Sequence, residues 1–410
     1  MPSGTSGTSG TSGTRRGHGE GTIFKRADGR WVAQLSLEGG KRKSYTAKTR
    51  QEAQRKLAEA RRDYEAGLPV ADDRLSVGRY LATWLETMQP PVVDRRTWER
   101  YEQMVRLHLA PEVGTVRLSQ LSGQRLQVLY AAKLAAGLST TTVHHLHSVV
   151  HKALEAAVRL GIIARNVADL VDAPPIRSRE MHPLTLAQVQ ALFAVLARTQ
   201  DRLEALYILA VSTGMRQGEL FALRWADVEL DGGLGSDGGA SPVLRVRRSL
   251  QENQLGLVFK EPKTRRSRRQ IALSEPAVEA LRRHRVRQHE ERLLLGAAWG
   301  TNEMGERLDP SCHDLVFCSA LGRPLRPSVY RRRLPRLLEL AGLPRVRFHD
   351  LRHTCATLLL AARVNPKVVS EMLGHSTVAI TLDIYSHVVP DMQQDAAAVM
   401  GAMLMTSLVG

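Results

Sequence analysis

The apolar residues of this chain change period along its length, which dictates a mosaic of small sheets and helical bundles rather than one repeating architecture. From Gly21 the pattern alternates with period two, as a strand does when one face is buried. Ile23-Phe24-Lys25-Arg26 is followed by a turn at Asp28-Gly29, and then Trp31, Ala33, Leu35 and Leu37 face one way. A second turn at Gly39-Gly40 leads into the basic strand Lys41-Arg42-Lys43-Ser44-Tyr45, and Thr49 with Glu52 forms a capping box that opens a helix. Three strands plus a helix are therefore expected over 18–68. The period then becomes helical: Val77, Leu81, Trp84 and Leu85 begin a series that runs to about Ile163, which predicts a helical domain over 74–172.

Linkers separate these blocks, one near Asp72-Asp73 and one at Pro174-Pro175 with the charged stretch Arg177 to Glu180. A third domain is expected over 180–395. It opens with a capping box, Thr185 with Gln188, and the buried stripe Val189, Leu192, Phe193 and Leu196. It reads as helical except for Val243 to Leu273, where Val-Leu-Arg-Val-Arg and Arg-Gln-Ile-Ala-Leu predict short strands around a basic turn, beside a Gly-rich insertion at Asp231 to Ala240. The Ser-Gly-Thr tract over 1–17 predicts a disordered tail, and 396–410 a C-terminal tail. The fold class is mainly α with small β-sheets, in several domains, and 410 residues suffice for two or three cores.

A net charge of +17 implies a polyanionic partner, because Lys and Arg that bind phosphates release condensed counterions. No run reaches the roughly 18 uncharged apolar residues of a spanning helix, and no secretory signal opens the chain, so a cytoplasmic, nucleoid-associated protein is expected. Cys312, Cys318 and Cys355 lack paired or CxxC spacing and read as reduced thiols, Cys355 as a small packed residue. His144, His147 and His151 share one helix face, yet no acidic or Cys partner stands at ligand spacing, so a polar or DNA-facing side is expected rather than a metal site.

Five short motifs occupy the third domain in order. They are Thr213-Gly214-Met215-Arg216-Gln217-Gly218-Glu219-Leu220, Pro262-Lys263-Thr264, Phe348-His349-Asp350-Leu351-Arg352-His353-Thr354, Leu373-Gly374-His375-Ser376 and Thr381-Leu382-Asp383-Ile384-Tyr385-Ser386-His387. Alone, an Arg reads as a surface ion pair and a Tyr as a packing residue. Together, the ordered set resembles the tyrosine recombinase (phage integrase) family, whose pattern is an Arg, a Lys on a hairpin, a His-x-x-Arg, a His and a terminal Tyr.

The resemblance implies an enzyme that cuts and rejoins DNA through a 3′-phosphotyrosine at Tyr385 and needs no cofactor or metal. Attack on a phosphodiester builds a centre more negative than the ground state, so fixed cations aimed at its oxygens lower the barrier. Arg216 and Arg352 suit that task, since a guanidinium holds two phosphate oxygens and stays charged. By the same resemblance His349 accepts the phenol proton, Lys263 protonates the departing 5′ oxygen, His375 donates to a non-bridging oxygen, and Glu219 supports Arg216 from three residues away on a helix. Lys260 is the alternative to Lys263. His349 and His353, four apart, could chelate a metal, but no carboxylate cluster accompanies them.

The N-terminal sheet resembles an arm-site-binding module, with Lys41, Arg42 and Lys43 facing DNA. Arg96-Thr97-Trp98-Glu99-Arg100-Tyr101 and Ala157-Val158-Arg159-Leu160-Gly161-Ile162 resemble a core-site-binding domain, and Arg265 and Arg266 are further DNA-binding candidates. Asn166-Val167-Ala168 stands where the family has Asn-Pro, and the Gly-rich insertion is long; neither touches a catalytic position. The implied partners are double-stranded attachment sites, a homotetramer, and an excisionase or host DNA-bending protein as helper. The apolar stripe Val399, Met403 and Leu404 docks either on a neighbouring subunit or on its own domain. A dimer-resolving recombinase, a type IB topoisomerase and a DNA-binding regulator of the same fold are the competing readings; the arm-like module and the filled catalytic set count against them.

Overall fold

The computed structural model describes residues 21–37, 42–65, 74–176, 181–231, 241–261, 267–330, 332–385 and 397–404, without the side chains of 63 and 383–385. The chain is mainly helical with small antiparallel sheets, and it divides into two compact units, 1–178 and 179–410.

The first unit opens with strands β1 (Gly21–Lys25), β2 (Trp31–Ser36) and β3 (Arg42–Ala47), antiparallel in that order, and helix α1 (Arg50–Glu65). Ile23 pairs with Ala33 and Ala33 with Tyr45, so these residues share a face, and Ala53 and Leu57 of α1 pack on it. Side chains alternate along a strand, so Arg42 and Lys43 take opposite faces. Arg42 is exposed away from α1, whereas Lys43 is half-buried with its Nζ 5.8 Å from the Tyr45 ring centre. Lys41 lies outside the described residues. Thr49 accepts from the Glu52 N–H at 3.2 Å as a capping box requires, but the Glu52 carboxylate returns to the N–H of Lys48.

The expected helical block follows as α2 (Val77–Thr87), α3 (Arg95–Met104), α4 (Ala110–Val113), α5 (Gly123–Ala135) and α6 (Thr140–Arg159). Ser76, Asp94, Ser122 and Ser139 cap α2, α3, α5 and α6 by accepting first-turn N–H groups. Its core holds Tyr80, Leu81, Trp84, Leu126, Leu146 and Leu154, separate from the small core under the sheet. Each histidine of the α6 face is engaged: His144 with the Pro174 carbonyl (3.1 Å), His147 with the Tyr130 hydroxyl (3.3 Å) and His151 with Asp169 (2.8 Å). Asp169 is the acidic neighbour that spacing along α6 does not reveal, because it returns from a short turn after the helix. That turn is capped by Asn166, which is buried and accepts the Ala168 N–H, so the missing proline leaves the local geometry defined. Among the described residues no cluster of three or more His, Cys, Asp or Glu is placed to hold a metal ion, and no helix is long and apolar enough to cross a membrane.

The second unit begins with α7 (Leu186–Arg198), whose Thr185–Gln188 capping box is formed in both directions, then α8 (Glu204–Thr213) and α9 (Gln217–Phe221). Next come β4 (Val228–Glu229), β5 (Val243–Val246), β6 (Ser249–Asn253), β7 (Gly256–Lys260) and β8 (Arg269–Ala272). The two strands read from Val243–Leu273 are β5 and β8, direct antiparallel neighbours. Sequence reading missed the β6–β7 hairpin between them, because β6 buries only Leu250 and so lacks an alternating apolar signal. The basic segment therefore links β7 to β8, and its residues 262–266, like the insertion residues 232–240, lie outside the described set.

The helices α10 (Glu275–Leu295), α11 (Pro327–Tyr330), α12 (Arg333–Leu340), α13 (Asp350–Ala361), α14 (Pro366–Leu373) and α15 (Val378–Tyr385) complete the unit. Leu206, Leu209, Phe221, Leu281, Phe317, Leu338 and Leu351 form its core, with α8 buried nearly all round. A further helical stretch covers 397–404, with Val399, Met400, Met403 and Leu404 exposed. The three cysteines form no disulfide.

Candidate active site

The first arginine of the ordered set stands ahead of α9 rather than on it. Helix α8 ends at Gly214 in the left-handed region (φ +61), and the chain turns through Met215 so that Arg216, in extended conformation, caps α9. Glu219 accepts the Arg216 N–H at 3.0 Å and its Nη1 at 2.9 Å. The expected reach between the two is met, but through cap geometry rather than side chains stacked on one helix.

Glu219 is only 4% exposed and also accepts from Arg269 of β8, Nη1 at 3.2 Å and Nη2 at 2.8 Å. Burial pushes this carboxyl up, yet the hydrogen bond and charge of Arg269, with the charge of Arg216, outweigh it and hold the group below the usual carboxylate range.

Arg352 lies in the first turn of α13, 3% exposed, and its Nη1 donates to the carbonyls of Gly214 (2.9 Å) and Leu373 (2.7 Å). The next carbonyl, Gly374, accepts Arg216 Nη2 at 3.2 Å, and the preceding one, Met372, accepts Arg269 Nε at 2.6 Å. Three arginines far apart in sequence are thus tied to three successive carbonyls at the C-terminal end of α14. Gly374 follows that helix in the left-handed region (φ +69).

His375 comes directly after, its Nδ1 2.8 Å from Oγ1 of Thr381, a fully buried residue of α15. His349 precedes the first turn of α13 without a side-chain cap bond, and its ring meets His353 edge to face at 5.1 Å. Burial, then the charges of Arg352 and Arg216, push His375 down to about 4. Burial, then His353 and Arg352, push His349 down to about 4, an effect that water screens in part because this ring reaches the exposed surface. Both imidazoles are neutral at neutral pH, so each can accept a proton or donate one N–H. Cys355 is buried beside Gly214, its thiol pushed up to about 12 by burial, which leaves it a small apolar filler.

The structure therefore brings together Arg216, Glu219, His349, Arg352 and His375. Tyr385 ends α15, the helix that carries Thr381, with its side chain outside the described set; Lys263, Arg265 and Arg266 also lie outside it. Lys260 ends β7 opposite Ser249. Sequence reasoning missed Arg269 and Thr381. Arg269 had a signal, since alternation along β8 places it on the same face as buried Ile271, and a charge on a core-facing strand position needs a partner. Thr381 had none.

Residues 183–392 match the phage integrase family, and residues 76–134 match the phage integrase N-terminal SAM-like domain. An integrase of Streptomyces ambofaciens is 32% identical over 400 residues, covering 94% of this chain and 97% of that protein. A tyrosine recombinase XerC-like protein of Caldanaerobacter subterraneus subsp. tengcongensis is 29% identical over 375 residues, 88% of this chain and 92% of its own. The fold is also that of the Tn1549 transposon integrase solved in complex with a circular intermediate DNA, at TM-score 0.66 and 21% identity over 80% of this chain and 99% of that one. Matched across the unit that holds the arginine cluster, and alike to a relative along almost its whole length, the chain belongs to the phage integrase family of tyrosine recombinases.

Proposed function

We propose that this site-specific recombinase integrates or excises a mobile DNA element, with Tyr385 as nucleophile and the Arg216–Arg352 cluster as the phosphate site. The phenol oxygen of Tyr385 attacks the phosphorus, a 3′-phosphotyrosyl bond forms, and the bond to the 5′ oxygen breaks. His349 takes the phenol proton, and Lys263, or Lys260 in its place, protonates the 5′ oxygen. Rejoining reverses each step and conserves the bond energy. Arg216, Arg352 and His375 hold the non-bridging oxygens as charge builds on them.

One observation carries this reading: Arg216, Arg269 and Arg352 dock on successive carbonyl oxygens where α14 ends, with His375 directly after them, Glu219 buried between Arg216 and Arg269, and His349 near enough to feel the charges of Arg352 and Arg216. Held neutral, His349 keeps a ring lone pair open to the phenol proton of Tyr385. Nδ1 of His375 lies 2.8 Å from Oγ1 of Thr381; with the hydroxyl as donor, the ring proton stands on Nε2, where it can reach a phosphate oxygen.

Exchange between two duplexes cuts four strands, and each chain offers one Tyr385, so four copies assemble on paired attachment sites. The exposed Val399, Met403 and Leu404 supply a docking face between neighbouring copies. The N-terminal sheet engages separate arm sites with Arg42 on its open face, and an excisionase or host bending protein brings arm and core sites together. The protein works on the bacterial nucleoid.

The test is a suicide substrate carrying a nicked core site. Wild type should form a denaturant-resistant adduct, Tyr385→Phe none, and chelator should change nothing. Equal adducts from both proteins would place the nucleophile elsewhere, and inhibition by chelator would favour a metal nuclease.

A further inference from the structure

We propose that Arg269 is a positioning residue for the reaction, one that lets Glu219 orient Arg216 without cancelling its charge. This rests on the reading of Arg216 as a phosphate ligand. A carboxylate paired with a single guanidinium gives a neutral pair, which would serve a phosphodiester poorly. Here the carboxylate of Glu219 faces two guanidinium groups, so the cluster keeps one net positive charge, and Arg216 is the member open to the phosphate side. Its side chain is 40% exposed, against 6% for Arg269 and 4% for Glu219.

Every donor group of Arg269 faces inward. Its two terminal nitrogens take both Glu219 oxygens, Nη1 also reaches the Ser267 carbonyl at 3.2 Å, and Nε holds the Met372 carbonyl at 2.6 Å. The last bond fixes the turn that presents Gly374 to Arg216 and His375 to the site. Arg269 also starts β8, the strand entered directly from the basic segment that contains Lys263. One side chain therefore ties the Glu219 carboxylate, the His375 turn and the entry to β8 at Ser267 into a single frame. The turn packs closely on this side chain, since a Cβ at Gly374 would stand 3.0 Å from Arg269 Nη1.

Without Arg269, Glu219 is a buried carboxylate with one partner, and it either binds a proton or draws Arg216 inward to be neutralised. The second outcome, which prevails near neutral pH, starves the phosphate of its cation. Lysine restores the charge at this position but not the planar fork that spans both oxygens and the Met372 carbonyl.

The experiment measures single-turnover adduct formation on the nicked suicide substrate and core-site affinity, for full-length wild type, Arg269→Met, Arg269→Lys, Glu219→Gln and the double variant Glu219→Gln/Arg269→Met. Arg269→Met should bind DNA within about twofold of wild type and cleave about a hundredfold more slowly, the loss typical of one displaced charge-stabilising donor. Its remaining activity should rise as pH drops from 7 to about 5, where the unpaired carboxylate takes up a proton and no longer neutralises Arg216, while wild type stays level over that range. Arg269→Lys should recover part of the rate. In the Glu219→Gln background the same methionine should cost much less, because no buried charge is left to balance. An equal cost in both backgrounds, or a wild-type cleavage rate for Arg269→Met, would overturn the role of Arg269 alone. A wild-type protein that gives no Tyr385-dependent adduct would instead overturn the functional reading beneath it.

Discussion

Gly214→Ala should damage both stability and cleavage, and the structure sets the size of each effect. The residue lies at φ +61, where an L side chain costs about 1–2 kcal/mol. A Cβ there would also stand 2.3 Å from Leu373 Cδ2 and 3.3 Å from Cys355 Sγ, so relief needs a shift of about 1 Å in a close-packed wall, and overpacking of this kind costs about 1–3 kcal/mol. The sum is about 2–5 kcal/mol. Gly342 is the internal control: it has the same handedness at φ +65 and nothing within 4 Å of its Cβ position, so Gly342→Ala should lose only the first term. In a unit of this size each kcal/mol moves Tm by about 2–4 °C, so Gly214→Ala should melt several degrees below Gly342→Ala. The Gly214 carbonyl anchors Arg352, and a displacement of about 1 Å at a reacting centre can cost about a hundredfold in rate. Calorimetry of the two variants and single-turnover cleavage of the nicked substrate give both numbers. Equal melting temperatures, or Gly214→Ala cleaving at the rate of Gly342→Ala, would show that the crowded contact and the anchor do not act as argued.

The histidines make two pH predictions. Cleavage at subsaturating DNA should hold level from pH 8 to below the ordinary histidine value of 6.5, because His349 is depressed toward about 4, and an acid limb centred near 6.5 would refute its assignment as the base. Stability follows the same sign: His375 is depressed in the folded state, so the stability present above 6.5 is lost as pH falls toward 4, and His375→Gln should flatten that part of the Tm profile. Thr381→Val removes the hydroxyl beside His375 Nδ1 and should slow cleavage about tenfold with unchanged DNA affinity, the worth of one ordinary hydrogen bond. A wild-type rate from Thr381→Val would mean that the His375 tautomer is fixed by something else.

What was legible in the sequence was whatever repeats or stands in order. Period-two runs gave β1 to β3, helical stripes gave the bundle from α2 to α6, and Thr185 with Gln188 marked the start of α7. The convergence of Arg216, Glu219, His349, Arg352 and His375 was legible because their types stand in one family's order. The β6–β7 hairpin was not, since a half-buried polar strand such as Ser249–Asn253 carries no alternation. Nor were the partners of the site residues. Asp169 reaches His151, and Arg269 reaches Glu219, across sequence gaps that no local pattern encodes, and backbone carbonyls have no residue type to be read at all.

Those carbonyls decide how the site keeps its charge. Of the groups that hold Arg216, Arg269 and Arg352 in place, Gly214, Met372, Leu373 and Gly374 contribute only peptide oxygens, from the C-terminal ends of α8 and α14. A helix C-terminus is a cluster of partial negative charges that attracts a cation without neutralising it. Both ends finish on a left-handed glycine, which turns the chain sharply away from the helix just where the arginines dock. Ordinary ion pairs would have fixed the same guanidinium groups as firmly, but each carboxylate would have removed one positive charge from a site whose task is to meet a growing negative one. Glu219 is the carboxylate hydrogen-bonded to these arginines among the described residues, and a second arginine offsets it. The same burial and fixed cations act on His349 and His375: both are kept neutral, so the positive charge of the site rests on the arginines.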